Sequence, residues 1–279
     1  MECALYVVAT PIGNLSDITL RALEVLGAAD TIAAEDTRNT RHLLQHHGIG
    51  DARLLALHQH NERGAAEKVI ALLQQGQNVA LVTDAGTPAV SDPGAVLVEA
   101  VREAGFRVIP IPGASAAVAA LSASGLAAPH FLFYGFLPNK SAARRTSLQA
   151  LAEHPYTLVF YEAPHRILDC VADLHAVFGD EREIVFAREL TKLFESIHRC
   201  KLGEATAWLN SDPNNQRGEF VLLVSGAQTQ AGLDAEAERI LKLLLADLPL
   251  KHAVQLAAEI TGAGRNELYQ HALSLKSGE

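Results

Sequence analysis

The 279-residue sequence has few cysteines and no excess of positive charge. Its three cysteines, Cys3, Cys170 and Cys200, are widely spaced and odd in number, so we expect buried thiols rather than a disulfide framework or a Cys-x-x-Cys metal site. Acidic residues outnumber basic residues by 32 to 23, which excludes a protein that coats nucleic acid nonspecifically. Any contact with nucleic acid must come from a local basic patch. Such a patch is expected within residues 121–228, where the excess of acidic over basic residues, per residue, is smallest.

Long hydrophobic runs and the common nucleotide-binding motifs are also missing. Apolar runs such as Val79–Val82 fall far short of the about 18 residues that a membrane span needs. The N-terminus lacks the basic region of a secretory signal, so we expect a cytoplasmic protein without a membrane span. The absence of Gly-x-Gly-x-x-Gly, a Walker P-loop and His-Glu-x-x-His disfavours NAD-dependent, P-loop and zincin enzymes.

The composition is that of a folded protein, with 49% hydrophobic residues and a mean hydropathy of +0.11. Short apolar runs alternate with helical patterns, a pattern typical of strands buried under helices. A second series of strands begins at residue 131, and three helical stretches follow residue 229. The sequence therefore predicts an α/β fold with two α/β domains, residues 1–125 and 126–228. Residues 229–279 are expected to form a helical extension like a helix-turn-helix. The alternative is a helical cap that only packs on the second domain.

Three loops at the carboxyl ends of predicted strands are rich in small and polar residues. They cover residues 9–17, 82–94 and 112–116, and the second holds two Asp, two Pro and two Gly. Open α/β sheets bind ligands at this edge, and such loops offer backbone N–H groups and hydroxyls to a polar small molecule. We therefore expect the three loops to converge on one crevice.

Motifs in these loops and further along the chain resemble those of the tetrapyrrole-methylase-like class of S-adenosylmethionine methyltransferases. They are most similar to the branch that methylates the ribose 2′-oxygen of a cytidine in bacterial 16S ribosomal RNA. Gly86-Thr87-Pro88 stands where enzymes that methylate tetrapyrrole carbons carry Gly-Asp-Pro, which favours the RNA branch. The motifs, spread over residues 5–226, are Val8-Ala9-Thr10-Pro11-Ile12-Gly13-Asn14-Leu15, Ala34-Glu35-Asp36-Thr37-Arg38, Thr83-Asp84-Ala85-Gly86-Thr87-Pro88, Ile111-Pro112-Gly113-Ala114-Ser115-Ala116, Phe133-Tyr134-Gly135-Phe136-Leu137-Pro138, Tyr161-Glu162-Ala163-Pro164-His165-Arg166 and Arg188-Glu189-Leu190-Thr191-Lys192.

The resemblance implies that the methyl donor, S-adenosylmethionine, lies in a cleft between the two α/β domains, and that the protein is a homodimer. It implies 16S ribosomal RNA as the substrate, within a small-subunit particle, with a cytidine of the decoding region as the nucleotide. The C-terminal helices resemble the extension of the same enzymes. The donor-binding residues that it implies are Thr10, Pro11, Asp84, Ala85, Gly86, Thr87, Pro88, Ala114, Ser115, Ala116 and Ala163.

Methylation of a ribose 2′-hydroxyl needs a base, or a cation that stabilises the alkoxide. Lys192 is the first candidate, because a lysine desolvated in a cleft can lose its proton. A phosphate contact or a surface ion pair with Glu189 or Glu195 would explain it equally well. Glu35 and Asp36 follow the second predicted strand and could supply the base instead, although Asp36 also suits a helix N-cap.

The basic patch is expected at Lys140, Arg144 and Arg145, a cluster without acidic neighbours, with Arg166 and Arg188 as further RNA contacts. No metal is expected, since the His42 and His46 pair has no matching third ligand. Two alternatives to the RNA methyltransferase stay open. One is an enzyme of the same fold that methylates a tetrapyrrole or another small molecule, and the other is a noncatalytic RNA-binding regulator.

Overall fold

The structure is a computed structural model that describes residues 2–50, 52–58, 61–126, 129–227 and 235–277. Met1–Gly226 form one compact unit and Ala227–Glu279 a second. The first unit contains two five-stranded sheets with helices packed on them. This confirms the α/β fold class that the alternating pattern predicts.

The first sheet is parallel throughout and has the strand order β3-β2-β4-β1-β5. All four residues of β2 and of β4 are buried, as consecutive apolar residues in a doubly covered sheet should be. The elements of this half, in chain order, are β1 Leu5–Val8, α1 Leu20–Ala28, β2 Thr31–Ala34, α2 Thr37–His46, β3 Arg53–Ala56, α3 Glu62–Gln74, β4 Val79–Val82, α4 Ala95–Glu103 and β5 Val108–Ile111.

Helices cover both faces of this sheet. On one face, Leu26 of α1 and Leu44 of α2 pack in a cluster with Ile32 of the sheet. On the other, Val69 of α3 and Leu97 of α4 pack in a cluster with the remaining strand residues. Because both faces are buried, only the ends of the strands are open to a ligand, and the carboxyl ends carry the polar loops.

The second sheet is mixed, with the order β6-β7-β10-β8-β9. Only β6 and β7 pair in parallel, and this pairing shifts register between Phe133 and Gly135. The edge strand β9, which pairs antiparallel with β8, was not expected from the sequence. The elements of this half are α5 Ala116–Ala123, β6 Phe131–Phe136, α6 Ser141–Gln149, β7 Thr157–Glu162, α7 Ile167–Phe178, β8 Glu183–Arg188, β9 Ser196–Lys201, α8 Leu202–Ser211 and β10 Phe220–Val224.

Helix α5 follows β5 of the first sheet and precedes β6 of the second along the chain. Its buried residues Ala117 and Ala120 belong to an apolar cluster with Val159, Val185 and Leu223 of the second sheet. The other face of that sheet is covered by α6, α7 and α8. A division after residue 125 thus assigns α5 to the first sequence segment although it packs on the second sheet, and the boundary at 125/126 stays a prediction.

The second unit contains three helices, α9 Ala235–Asp247, α10 Leu250–Thr261 and α11 Arg265–Ser277, where the sequence predicts three. They share an apolar cluster that includes Leu241, Val254 and Leu268. Helix α10 is capped by Gly262, whose left-handed conformation (φ 74°) closes the last turn. Within the described ranges, the helices are all too short or too polar to cross a membrane.

Candidate active site

The loops that follow β1, β4 and β5 are hydrogen-bonded to one another. Thr10 and Gly86 exchange two backbone hydrogen bonds of 2.9 and 3.0 Å, and the Thr10 hydroxyl donates to the carbonyl of Thr83. The Thr87 hydroxyl donates to the carbonyl of Ala114 at 3.1 Å. The structure therefore brings the three strand-end loops together, as their composition predicts.

These loops face the second sheet across a cavity of about 400 Å³, within the usual size range for a small-molecule site. Six of the predicted donor-binding residues line it, while Thr10, Pro11, Asp84, Pro88 and Ala114 lie in the surrounding loops. The lining residues are Ile12, Ala85, Gly86, Thr87, Val90, Asp92, Ser115, Ala116, Phe136, Tyr161, Glu162, Ala163, Pro164, Ala187, Leu190, Lys192, Glu219, Phe220 and Val221.

The β1 loop and the β8–β9 hairpin meet at the edge of this cavity. The backbone N–H of Asn14 donates to the Thr191 hydroxyl at 3.1 Å. At Gly13, an added Cβ would lie 2.6 Å from the Lys192 Cγ and 2.8 Å from the Leu190 carbonyl oxygen. Only glycine allows this approach, so the sequence of the β1 loop holds the hairpin, and Lys192 with it, against the first sheet.

Backbone strain is concentrated around the same cavity. In the described part of the chain, the non-glycine residues with positive φ are Ala89 and Ser91 in the β4 loop and Glu189 and Thr191 in the hairpin. Conformations of this kind persist only where the surrounding structure enforces them, and they cluster at functional sites. Both strained loops contribute side chains to the cavity, which marks it as the candidate active site.

Lys192 lies in the cavity but between two carboxylates. Its Nζ donates to Glu189 Oε1 and Glu219 Oε2, both at 2.9 Å. Burial lowers the pKa of Lys192, but the hydrogen bonds to Glu219 and Glu189 outweigh burial and raise the pKa above its ordinary value. The ammonium group is therefore charged at neutral pH. The ion pair with Glu189, one of the alternatives expected for Lys192, is present, and a role of Lys192 in the reaction stays a prediction.

Glu35 and Asp36 differ in their surroundings. Glu35 Oε2 accepts a 2.6 Å hydrogen bond from the Thr83 hydroxyl. Asp36 caps α2 by accepting from the backbone N–H of Arg38, and its carboxylate also binds the Arg38 guanidinium. These hydrogen bonds to Arg38 lower the pKa of Asp36 to about 2. A carboxylate of such low basicity is a poor proton acceptor, so the helix-cap role expected as the alternative fits Asp36.

Asp92 lines the cavity and was not among the expected site residues. Burial is the main cause that raises the pKa of Asp92 to about 6, and the nearby charge of Glu35 is the second. Tyr161 lies close by and accepts a hydrogen bond from the backbone N–H of Ala117. The sequence signal for Asp92 was its position in the β4 loop, but its burial next to Glu35 depends on tertiary structure.

The basic cluster on α6 divides into buried and exposed members. Arg144 is 2% exposed and donates to Asp173 of α7 at 2.7 Å. Arg145 donates to the other oxygen of Asp173 but leaves half of its side chain exposed. Lys140 is exposed at the start of the helix. Arg144 was expected to contact RNA, but because its charge is buried and neutralised it has a structural role here instead.

Arg166 and Arg188 are also engaged within the protein. Arg166 donates to the carbonyl of Leu137 at 2.7 Å and lies 3.1 Å from Glu162 Oε1, with 15% of its side chain exposed. Arg188 donates to the Ser196 hydroxyl at 3.0 Å. Arg166 therefore fixes the segment between β6 and α6, the segment that carries Lys140.

The fold and the site define a methyltransferase class. The family described as Tetrapyrrole (Corrin/Porphyrin) Methylases matches residues 4–206, and the chain belongs to this family. A second family, described as the RsmI C-terminal HTH domain, matches residues 231–276. The protein is thus an S-adenosylmethionine-dependent methyltransferase, as its motifs predict.

Curated relatives resemble the chain over almost its whole length. It is 57% identical over 270 residues to Ribosomal RNA small subunit methyltransferase I of Escherichia coli O157:H7, an alignment that covers 96% of this chain and 94% of the relative. It is 56% identical over 272 residues to the protein of that name from Pseudomonas aeruginosa, with 96% of each chain covered. Both alignments are long enough to include the methylase unit and most of the helical extension.

Solved structures show the same fold at lower identity. The methyltransferase CobJ has a TM-score of 0.61 and 22% identity, and the match covers 80% of this chain and 94% of that one. A uroporphyrin-III C-methyltransferase from Thermus thermophilus, complexed with S-adenosylhomocysteine, has a TM-score of 0.57 and 18% identity, covering 80% and 97%. These similarities establish the architecture of the methylase unit.

Proposed function

We propose that this protein transfers a methyl group from S-adenosylmethionine to 16S ribosomal RNA of the small ribosomal subunit. The observation that carries the proposal is the 57% identity to a ribosomal RNA small subunit methyltransferase over 96% of the chain. This similarity extends beyond the methylase family match, which ends at residue 206, into the helical unit. A substrate shared with that relative explains why both units are retained together.

The donor is proposed to bind among the strand-end loops. Gly86, Ser115, Ala116 and Ala163 have small side chains at the cavity surface, and this leaves room for a ligand close to the backbone. The surrounding residues Thr10, Pro11, Asp84, Pro88 and Ala114 support these loops. The donor supplies an electrophilic methyl group, and the task of the chain is to orient it and to exclude water.

The acceptor is proposed to be the 2′-oxygen of a cytidine ribose in the decoding region. Transfer from a hydroxyl builds negative charge on the oxygen as its proton leaves. A fixed ammonium group in a partly buried cavity stabilises such charge better than the same group in water. Lys192 meets this requirement, since Glu189 and Glu219 keep it protonated and hold it in place.

RNA is proposed to approach along the surface that leads from β6 to α6. Phe136, at the end of β6, lines the cavity, and Lys140 and Arg145 lie exposed a few residues further on. No acidic residue occurs in the sequence between Phe131 and Ala152. In a chain with net charge −9, a short stretch of this kind is where phosphate contacts are least opposed.

The assembly is proposed to be a homodimer that acts in the cytoplasm on a small-subunit particle. The hairpin next to the cavity exposes two large apolar side chains, Leu193 (89%) and Phe194 (69%). Exposed apolar groups that lie together mark contact surfaces in many proteins. A dimer contact at this hairpin would also hold Lys192 in position.

The proposal is tested by mass spectrometry of 16S ribosomal RNA from a strain that lacks the protein. We expect one ribose methyl group to be missing at a cytidine of the decoding region, and purified protein with S-adenosylmethionine to restore it on isolated small subunits. Unchanged RNA would overturn the proposed substrate. A missing methyl group on a base would retain the substrate and overturn the ribose position.

A further inference from the structure

One side of helix α2 presents a row of hydrogen-bond donors that has no role in the proposed transfer. No aspartate or glutamate occurs between Thr37 and Gly50, although the chain contains 32 acidic residues. The exposed residues of this helix all carry side-chain nitrogen, and together they form the α2 face: Arg38, Asn39, Arg41, His42, Gln45 and His46. The α2 face can therefore donate hydrogen bonds and brings no negative charge of its own.

The packing of α2 keeps this side turned outward. Apart from Asn39, the residues of the α2 face recur at intervals of three and four, so they share one side of the helix. Thr40, Leu43 and Leu44 are buried on the other side, and Leu44 packs in the cluster that includes Ile32 of the first sheet. Because the buried side fixes the rotation of the helix, the α2 face is held open to solvent.

The cations of α2 are less neutralised than those of α9. In α9, Arg239 and Lys242 each pair with a glutamate one turn earlier. Arg41 forms no ion pair and no side-chain hydrogen bond with any residue that the structure describes. Arg38 pairs with Asp36 through Nε and Nη2, yet its side chain is 86% exposed. Exposed pairs of this kind are weak, so both guanidinium groups of the α2 face can bind an external anion.

Hydrogen bonds at both ends of α2 hold it against the loops of the cavity. At its start, the backbone N–H of Asp36 and the side-chain amide of Asn39 donate to the two carboxylate oxygens of Asp84, at 3.1 and 3.0 Å. Asp84 belongs to the β4 loop, which lines the cavity. At the other end, Nε2 of His47 lies 3.0 Å from the carbonyl oxygen of Leu15 in the β1 loop. The α2 face is therefore fixed beside the site at which the methyl group is proposed to be transferred.

Phosphate groups are the partner that fits this chemistry. A guanidinium group binds a phosphate through two parallel hydrogen bonds, and neighbouring neutral donors can add further ones. Helix α2 has ten residues and is thus about 15 Å long, so its exposed side spans more than one phosphate of a nucleic-acid strand. In charge and in length, the α2 face is complementary to the backbone of a nucleic acid.

We propose that the α2 face binds the sugar–phosphate backbone of ribosomal RNA beside the acceptor nucleotide, with Arg38 and Arg41 in contact with phosphates. The inference rests on the proposed function, because RNA is there the substrate that enters the cavity. Lys140 and Arg145 of the second half are proposed above to contact RNA from the other side. Each half of the methylase unit thus holds the RNA on its own side of the cavity.

The test measures binding of N-terminally labelled protein to isolated small subunits, by fluorescence anisotropy at several salt concentrations. Arg41→Glu should weaken binding about tenfold or more and reduce the salt slope of log K by about 1 or more, because a phosphate contact is replaced by repulsion. Arg41→Lys keeps the charge and should bind within about threefold of the wild type. Calorimetry should show unchanged affinity for S-adenosylmethionine in both variants, which demonstrates that they are folded.

The matched control is Arg102→Glu, which changes the net charge of the protein by the same amount. Arg102 is an exposed arginine of α4, on the opposite face of the first sheet, and it has no ion pair with a described residue. We expect this variant to keep the affinity and the salt slope of the wild type. Equal losses in Arg41→Glu and Arg102→Glu would reduce the effect to net charge and overturn the inference.

A tethered probe locates the contact without relying on affinity. An iron chelate attached to Gln45→Cys generates hydroxyl radicals that cut only RNA close to the α2 face. We expect cuts in 16S ribosomal RNA within a few nucleotides of the methylated cytidine, and none there from the same probe on Arg102→Cys. Protein without an added cysteine, treated in the same way, gives the background from Cys3 and Cys200, which are partly exposed. Cuts confined to distant RNA would overturn the inference.

The outcomes separate this inference from the proposed function. If wild-type protein methylates small subunits and Arg41→Glu binds them with unchanged affinity and salt slope, the α2 face is not an RNA contact and the proposed function stands. If wild-type protein binds small subunits through Arg41 but methylates no RNA, the proposed function fails and the RNA contact remains. If Arg41→Glu alters only the sedimentation of the free protein, the α2 face contacts a second copy of the chain, and the inference is wrong.

Discussion

The two walls of the cavity arrange their charged groups differently. The first-sheet wall is formed by the loops after β1, β4 and β5, and Asp92 on this wall lies near Glu35 and Asp84. The second-sheet wall, formed by β7, β10 and the β8–β9 hairpin, carries the protonated Lys192. The first wall thus brings carboxyl groups close to one another, whereas on the second wall an ammonium group is ion-paired with two carboxylates.

The largest expected effect comes from filling the first-sheet wall. Gly86 has φ 87°, and a Cβ there would lie 3.5 Å from Ile12 Cγ2 at the cavity surface. Gly86→Val should therefore abolish S-adenosylmethionine binding measured by calorimetry. Gly76→Val is the control, because Gly76 has a similar φ of 79° but no neighbour within 4 Å. It should lose stability through backbone strain and still bind the donor. Equal loss of binding in both variants would contradict a donor site at Gly86.

The next largest effect comes from removing the charge of the second-sheet wall. Lys192→Met should lower single-turnover methylation by about 100-fold with donor affinity unchanged, because the ammonium group acts on charge that develops only during transfer. Lys201→Met removes another lysine paired with a glutamate, Glu181, outside the cavity, and should have no effect. A rate that recovers at saturating RNA would assign Lys192 to phosphate binding instead.

A smaller effect is expected on the surface beyond the second-sheet wall. Replacing Lys140 and Arg145 by Ala should weaken RNA binding about tenfold and reduce the salt slope of log K by about 1–2, since two phosphate contacts are lost. Filter binding at several salt concentrations measures both. Arg107→Ala, on the first half of the chain, should leave the slope unchanged. Arg144→Ala should instead destabilise the fold, because it removes the buried partner of Asp173 Oδ2. An unchanged slope in the double variant would place the RNA contacts elsewhere.

The smallest effect concerns Asp36 beside the first-sheet wall. Its pKa is lowered in the folded protein, so the stabilisation is fully present above about pH 4 and is lost as the pH falls towards 2. Asp36→Ala should lower the melting temperature by a few degrees at pH 7, and the difference should shrink at low pH. Asp36→Asn, which keeps a capping side chain, should be affected less. A difference that grows on acidification would contradict the proposed charge on Asp36.

Much of the fold could be predicted because the strands are encoded locally. The expected bounds of β2 and β5 agree with the structure, since each is a run of apolar residues between turn signals. Strand β9 was missed because its sequence, Ser196–Lys201, has little apolar alternation. Strand β9 is extended because it pairs with β8 at the edge of the sheet. The strand propensity of its own residues does not encode this tertiary pairing.

The site was predictable where it depends on the backbone and less so where it depends on charge. The strand-end loops could be recognised because the carboxyl ends of parallel strands share an edge. The burial of Arg144 requires Asp173, 29 positions away on another helix. The raised pKa of Lys192 likewise requires Glu219, 27 positions away. Such pairings are set by packing, so a local reading of the basic cluster could not separate Arg144 from Arg145.

The contact between Asn14 and Thr191 can form only late in synthesis of the chain. It joins residues 177 positions apart, and the cavity lining runs from Ile12 to Val221. Ribosomes add about 5–20 residues per second, so roughly 10–40 s pass between synthesis of the two ends of this lining. About half-way through that interval the nascent chain contains all five strands of the first sheet, which end at Ile111, but it still lacks the strands that close the cavity. The cavity in which the donor is proposed to bind is therefore complete only after almost the whole methylase unit has left the ribosome.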